Sequence, residues 1–532
     1  MSDGAPVRQV RHDEALWQQP HNPWIIALVV TMATFMEVLD TSVANVSLPH
    51  IAGNLSAGQD ESTWVLTSYL VSNAVVLPLS GWISERIGRK RFYMSCVALF
   101  TLSSLLCGLA PSLGWLVFFR VLQGAGGGGL QPSEQAILAD TFPPAKRGMA
   151  FAVYGMAVVA APALGPTLGG WITDNFTWRW IFFINVPVGI LSLILTSRLI
   201  SDPPYLKKQV RVGAKIDYIG FGLIAVGLGF LQVVLDKGQR EDWFETPYIR
   251  VFTFIFVTAL ILAVIWELHV KDPVVDLRLF KDRTFFMGCF MLFTVGFVLY
   301  STTVLLPQYA QDLMGYTAEE AGMLISPGGV TIMLLMPLVG YLVTHYDARK
   351  MIAFGFLMVG LATLNMMRFN LGVDFRTMMW ARVFQAGSVA FLFVPINTVA
   401  FAYLPREKSN AGSGLINLAR NIGGSVGISM VTTMLARRAQ FHQSVLVAHL
   451  SPYDAHFMNA LRALTHGFAA AGAGTVMATK QAYAAVGGMV AQQSILLAYL
   501  DNFWLLGITA LALVPFTFLM KKSKPGGSLV VH

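Results

Sequence analysis

The sequence predicts an all-α polytopic membrane protein with fourteen transmembrane helices, grouped six, two and six. Three observations carry that expectation. Of the 532 residues, 55% are hydrophobic and only 12% are charged, where a soluble domain carries about 25% charge. Apolar runs near the length needed to cross a bilayer, about 20 residues, recur along the chain. The chain also repeats itself: Leu39-Asp-Thr-Ser-Val echoes Leu299-Tyr-Ser-Thr-Thr, Gly81 with Arg89-Lys90 echoes Gly340 with Arg349-Lys350, and Arg120-Val-Leu-Gln123 echoes Arg382-Val-Phe-Gln385. Three echoes at nearly one offset imply two parallel six-helix halves with a pair of helices inserted between them, a repeat type whose transport site lies where the halves meet.

In order, the expected spans are 24–48, 62–84, 92–111, 114–138, 148–173, 178–200, 216–236, 248–269, 285–310, 321–345, 350–368, 376–403, 409–436 and 494–520. They divide the chain into a tail at 1–23, a first bundle at 24–200, a linker at 201–215, the inserted pair with its following loop at 216–284, a second bundle at 285–520 and a tail at 521–532. The second bundle includes a long outer loop at 438–492, Ala- and Gln-rich, with helical periodicity around 453–470. The first 23 residues are polar and do not resemble a cleavable signal peptide. Basic residues gather at 86–91, at Lys207, Lys208, Arg211 and Lys215, and at Lys521-Lys522. Membrane proteins keep such residues cytoplasmic, so both termini are expected inside, and the net charge of +8 requires no nucleic-acid partner.

The first span closes with Phe35-Met-Glu-Val-Leu-Asp40-Thr-Ser-Val-Ala-Asn45-Val-Ser-Leu-Pro49. Two carboxylates inside an apolar span are costly, an ionised Asp at a helix centre about 2.5–3.5 kcal/mol, so Glu37 and Asp40 are candidate functional groups. Their spacing of three places them on one face. Arg120 in the fourth span falls at the depth of Asp40, roughly 9–12 Å below the outer surface at 1.5 Å per residue. An acid and a base at one depth are expected to pair, as a static bridge or as a protonatable switch with Glu37 one turn away.

Other motifs carry conformational readings. Gly126-Gly-Gly-Gly129, after Gln123 and Gly124, marks close backbone approach or a flexible helix; it lacks the Lys-Ser/Thr ending of a phosphate loop. Pro162, Gly165, Pro166, Gly169 and Gly170 form one bare, kinked stripe on the fifth span, suited to close packing and to bending. The turn Gly81-Trp-Ile-Ser-Glu85-Arg86-Ile-Gly88-Arg89-Lys90 sets topology and is also short enough to latch one half on the other. Polar and aromatic points within spans, Phe35, Met36, Tyr69, Asn73, Gln123, Tyr154, Tyr300, Gln308, Asn397, Asn417 and Asn421, are the candidate lining of a large mixed cavity. Each of them has core or lipid contact as its ordinary alternative. Cys96, Cys107 and Cys289 sit in apolar runs without metal spacing and read as small core residues. His442, His449 and His456 fall seven apart, about 10.5 Å per step on a helix, too far to share a metal, so neither metal nor cofactor is expected. No nucleophile–base set points to an enzyme.

These motifs resemble the major facilitator superfamily over nearly the whole chain. The Gly81 to Lys90 turn is similar to its loop between helices two and three, with Glu85 where the family usually has Asp. The corresponding turn from Gly340 to Lys350 lacks the acid–Arg pair. Arg120-x-x-Gln-Gly124 resembles the helix-four motif, and Gly155 through Gly-Pro166-x-x-Gly-Gly170 the antiporter motif of exporters. Leu39-Asp-Thr-x-x-x-Asn-Val-x-Leu-Pro49 and Trp178-Arg-Trp-Ile-Phe-Phe-Ile-Asn-Val-Pro187 resemble the fourteen-helix drug:proton antiporters, in particular EmrB-type multidrug exporters. The resemblance implies proton-driven export of hydrophobic toxic compounds through a bacterial inner membrane. It also implies a periplasmic adaptor of the membrane-fusion type and an outer-membrane channel. An exporter dedicated to one metabolite, such as a siderophore or pigment, is the alternative the same residues allow.

Overall fold

The computed structural model describes residues 19–143, 146–203, 217–402, 404–405 and 408–522. The outer parts of both expected tails and most of the 201–215 linker, with Lys207, Lys208, Arg211 and Lys215, lie outside the described residues. Among the described residues there is no strand.

The first half contains α1 (Pro23–Val46), α2 (Trp64–Ile87), α3 (Arg89–Leu109), α4 (Leu113–Gly127), α5 (Leu130–Thr141), α6 (Arg147–Asn175) and α7 (Asn185–Leu199). The inserted pair is α8 (Tyr218–Lys237) and α9 (Pro247–His269). The second half contains α10 (Arg283–Asp312), α11 (Ala318–His345), α12 (Ala348–Asn365), α13 (Phe375–Ala402), α14 (Ser409–Ala448), α15 (Ala455–Ala470) and α16 (Thr475–Ala512). Helix starts follow local chemistry. Asn22 accepts from Trp24 N with Pro23 in the first turn, Asp282 accepts from Thr284 N and Phe285 N, and Thr317 with Glu320 forms a capping box.

Among the described residues, helices occupy all fourteen expected segments, and eleven are long and apolar enough to cross a membrane, or twelve with the bent α6 counted as one span. The other two are informative. The fourth segment breaks at the glycine run into α4 and α5, and within that run Gly126 lies so near α3 that a Cβ there would be 2.6 Å from Phe100 N. The thirteenth, α14, is too polar to pass as an apolar span.

The end of α14 and the start of α16 also revise the expected outer loop. α14 runs on to Ala448, α15 follows, and α16 begins at Thr475, so most of 438–492 is helix. Ala and Gln favour helix without making a stretch apolar, which is why hydropathy missed it. Cys96, Cys107 and Cys289 are buried.

The same helix pairs pack in both halves. α1 lies on α6 as α10 lies on α14; α2 on α4 as α11 on α13; α3 on α7 as α12 on α16. The halves meet along α6 with α11, and along α2 and α5 with α14. At the end nearest the α1 N-terminus the seam is tight. A Cβ on Gly81 would fall 2.5 Å from Ala411 Cα, and Asn410 Nδ2 donates to Ser80 O at 2.8 Å and Ser84 Oγ at 2.6 Å. Further along, α8 bonds to both walls: Asp236 accepts from Thr67 on α2, and Gln232 from Ser425 on α14 at 3.0 Å.

α6 bends by 45° between Pro162 and Leu164. Its small residues face two ways. Gly165 and Gly169 press on Ser42 and Val43 of α1, Pro166 meets Gly322 of α11, and a Cβ on Gly170 would meet nothing within 4 Å. Pro162, Gly165 and Gly169 thus face α1, while Pro166 and Gly170, each one residue further round the helix, point elsewhere. A Cβ on Gly165 would sit 2.2 Å from Ser42 Oγ. Gly165→Leu is expected to force α1 and α6 apart, costing about 1–3 kcal/mol. In detergent its melting temperature should fall; an unchanged melting temperature would show that the contact does not matter.

Candidate functional site

Asp40 and Arg120 meet in the interior of the first half. Arg120 Nη1 lies 2.5 Å from Asp40 Oδ2, with side chains 0% and 1% exposed. Around them the donors are complete on the acid. Asp40 Oδ1 accepts from Gln123 Nε2 at 2.9 Å and Asn185 Nδ2 at 2.7 Å. Arg120 also donates to Gln123 Oε1 at 2.8 Å and Val65 O at 2.9 Å, and its guanidinium lies over the Tyr69 ring at 4.3 Å. Ser104 on α3 holds Asn185 in turn, at 3.0 Å. A buried carboxylate is tolerable when cation and amides satisfy it together.

Glu37, one turn away, is 3% exposed and has a different shell. It accepts from Tyr69 Oη at 3.0 Å, Asn73 Nδ2 at 3.2 Å and Gln131 Nε2 at 2.7 Å. Tyr69 therefore touches both acidic centres, by its ring at the Arg120 end and by its hydroxyl at Glu37. From Glu37 the network crosses to the second half. Gln131 Oε1 accepts from Arg420 on α14, and Arg420 Nη1 donates to Tyr154 Oη at 3.3 Å. The Tyr154 hydroxyl lies 3.1 Å from Gln131 Oε1 and 3.0 Å from Asn417 Oδ1, with one proton to give to either. Asn417 Nδ2 donates to Gln135 Oε1 at 2.9 Å, and Gln135 Nε2 reaches Asn397 Oδ1 at 3.3 Å.

The residues expected to line one large cavity are thus mostly tied to each other. Tyr69, Asn73, Gln123, Tyr154, Asn397 and Asn417 belong to the network; Met36 is 2% exposed in the core. Phe35, Gln308 and Asn421 are half-buried, and Asn421 only flanks Arg420, at 3.4 Å. A cavity of about 20 Å³, room for a water, lies between Pro162, Tyr300, Thr303, Arg382, Phe393 and Arg420; of the expected lining it takes Tyr300. Amides and hydroxyls facing each other across a shut seam satisfy one another, which removes the space between them.

The turn after α2 is also resolved into parts. Gly81 provides the approach to α14, Arg86 stacks on Trp82 at 3.8 Å, and Gly88 takes φ 91° where the chain reverses. Arg89 pairs in a buried bridge with Asp140 at the end of α5, and Glu85 has its own polar contact. Sequence reasoning passed over Gln131, Gln135, Asn185 and Asp140. The signal for the first two was their i, i+4 spacing just after the glycine run. Asn185 stood inside a quoted motif without a role.

Two helix sets packed in the same pattern, one with a buried acid–arginine centre in its interior and both joined by a polar seam, are the build of a membrane transporter with paired halves. The chain belongs to the major facilitator superfamily, whose family model matches residues 30–428. It is 36% identical over 501 residues to the multidrug export protein EmrB of Escherichia coli (strain K12), across 92% of this chain and 96% of that one. It is 39% identical over 431 residues to the fatty acid resistance protein FarB of Neisseria gonorrhoeae, across 81% and 84% of the two chains. Among solved structures it resembles the proton:xylose symporter XylE in fold, with a TM-score of 0.60 at 14% identity, covering 94% of this chain and 97% of that one.

The buried pair sets an energetic expectation. Arg120→Met leaves the Asp40 charge without its cation and should destabilise the protein by about 3–5 kcal/mol, whereas Arg120→Met with Asp40→Leu should recover most of that loss. Thermal unfolding in detergent reads both. Equal destabilisation by the single and double variants would mean that the two charges do not depend on each other.

Proposed function

We propose that this protein is a proton-coupled antiporter that exports hydrophobic toxic compounds across the bacterial inner membrane by alternating access. The observation that carries the reading is the Asp40–Arg120 centre with its amide shell, set beside Glu37 and joined through Gln131 to the second half. In this reading Asp40 binds the driving proton, Glu37 assists, and Arg120 holds Asp40 ionised between proton loads. With the outward side open to acid, Asp40 gains a proton, its hold on Arg120 weakens, and cargo leaves. Facing inward, Asp40 releases the proton, and cargo binding competes with its return.

The proposed moving bodies are the halves at 24–200 and 285–520, with both termini cytoplasmic as the basic residues at 86–91 and 521–522 support. On that orientation the tight Gly81–Ala411 end of the seam is cytoplasmic, and the latch of Gly81, Glu85, Arg86, Gly88 and Arg89 lies beside it. Opening the seam would release Tyr69, Asn73, Tyr154, Asn397 and Asn417 from one another to face cargo, with Phe35, Met36, Gln123, Tyr300, Gln308 and Asn421 around them. The names of the relatives, multidrug export and fatty acid resistance, support hydrophobic cargo. The helical extension around α15 lies on the periplasmic side in this orientation and is the proposed dock for a membrane-fusion adaptor leading to an outer-membrane channel.

The available energy is sufficient. One charge moved through 100 mV yields about 2.3 kcal/mol, and one unit of pH gradient adds about 1.4 kcal/mol. Together they sustain a gradient of a few hundred-fold for a neutral compound, at about 1.4 kcal/mol per tenfold. In proteoliposomes with an imposed pH gradient, wild type should accumulate ethidium, rhodamine or Nile red, and collapsing the gradient should stop it. Accumulation that ignores the gradient would refute proton coupling. Deleting residues 450–474 should cost resistance in intact cells yet spare exchange in vesicles; unchanged resistance would remove the adaptor role.

A further inference from the structure

A third carboxyl lies deeper in the first half, outside the centre just described. Glu134 on α5 is 0% exposed. Its Oε1 accepts from Thr31 Oγ1 on α1 at 2.6 Å, and its Oε2 has no hydrogen-bond partner. No ion pair among the described residues includes it. The titratable groups that face it are Glu37 from α1, Tyr93 from α3 and Tyr154 from α6; Arg420 of α14 is engaged by Gln131 and Tyr154. Tyr93 spends its proton on Val30 O at 3.0 Å. An ionised carboxylate here would have no counter-charge, which is expensive in a membrane interior, whereas a carboxylic acid would place a donor at the free Oε2.

Position gives this group a use. Thr31, Thr34, Glu37 and Asp40 follow one another by three along α1, each about one turn from the next. Counted from Pro23 at 1.5 Å per residue, Asp40 lies about 25 Å, Glu37 about 21 Å and Thr31 about 12 Å along the helix. Glu134, bonded to Thr31, therefore stands between Glu37 and the end of the bundle where α1 starts. The hydroxyl oxygens of Thr34, Ser133, Ser192 and Thr196 are buried without partners in the same half. Thr34 lies between the two acids on α1.

We propose that Glu134 is a second proton-binding residue of the first half, through which the proton taken up at Asp40 and Glu37 passes toward the α1 N-terminal side. The step balances within the chain. Protonated Glu37 gives its proton to ionised Glu134 by way of the Thr34 hydroxyl, which bonds to neither acid at rest and must turn to accept from the one and donate to the other. Glu37 is left as a carboxylate held by Tyr69, Asn73 and Gln131, and Glu134 as the neutral acid. Glu134 then loses that proton toward the α1 N-terminal side and is ready for the next. The inference rests on proton-coupled transport as proposed above and adds to it the route by which the proton leaves.

The test compares wild type, Glu134→Gln and Glu134→Asp in proteoliposomes, using whichever of ethidium, rhodamine and Nile red the wild type moves fastest. Gln keeps the size of the side chain and an acceptor for Thr31 but passes no proton. Proton-driven accumulation by Glu134→Gln should fall about a hundredfold, the low end of what a positioned proton-transfer group contributes. Dye–dye exchange at equal pH should stay near the wild-type rate, and Glu134→Asp should regain part of the driven rate. Undiminished driven accumulation by Glu134→Gln overturns the proposal, as does an equal loss in both modes, which would make Glu134 a structural residue. A wild type that accumulates none of the dyes under the gradient would instead count against the exporter reading itself.

Discussion

The structure depends on the cost of keeping a carboxylate inside a bilayer. Asp40 is tolerated because helices from most of the first half deliver something to it or to its partner. α4 brings Arg120 and Gln123, α7 brings Asn185, α2 offers Val65 O and the Tyr69 ring, and α3 steadies Asn185 through Ser104. Each contact is a modest term, and the removal of any one leaves the others around a charge that has nowhere to go. A site of this kind is over-determined, and in the proposed cycle a proton on Asp40 would remove the attraction that gathers the shell.

The second half shows what the same scaffold does without the acid. Arg382 Nη1 reaches Gln385 Oε1 at 2.8 Å, the same distance as Arg120 to Gln123, but its remaining partners are Thr302 at 3.1 Å and Thr303 at 2.8 Å. The repeat has kept the Arg–Gln element and replaced the carboxylate with hydroxyls. In the proposed cycle the proton acts on the first half, and the Glu37–Gln131–Arg420 line is the contact through which α14 would feel a change in the Glu37 carboxyl. That line crosses the seam where α5 packs on α14, so it lies where relative movement of the halves would be felt.

Much of this was legible in the residues. Acids inside an apolar span announce themselves by their cost, and equal depth was enough to join Asp40 to Arg120. The internal repeat was readable because charged and glycine positions recur at nearly one offset. The amides were harder. Gln131 and Gln135 follow a glycine run and Asn185 an aromatic stretch, and a neutral polar side chain in a span carries no sign of which neighbour it will meet. The expected lining of Tyr154, Asn397 and Asn417 is hidden for a related reason: in a shut seam such groups bond to each other. The extended α14 and α16 escaped hydropathy because alanine and glutamine make good helix without making it apolar.

The proposed cycle turns on one event, the loss of a proton from the Asp40 centre when cargo binds. It is read most directly by adding a transported dye to the detergent-solubilised protein in weakly buffered solution and following pH with an indicator, for wild type and Asp40→Asn. Asn keeps the shape and hydrogen bonding of Asp but carries no proton. Wild type should release protons and Asp40→Asn should not, with dye binding retained in both. Undiminished release from Asp40→Asn would contradict the proposed cycle and place the coupling proton elsewhere.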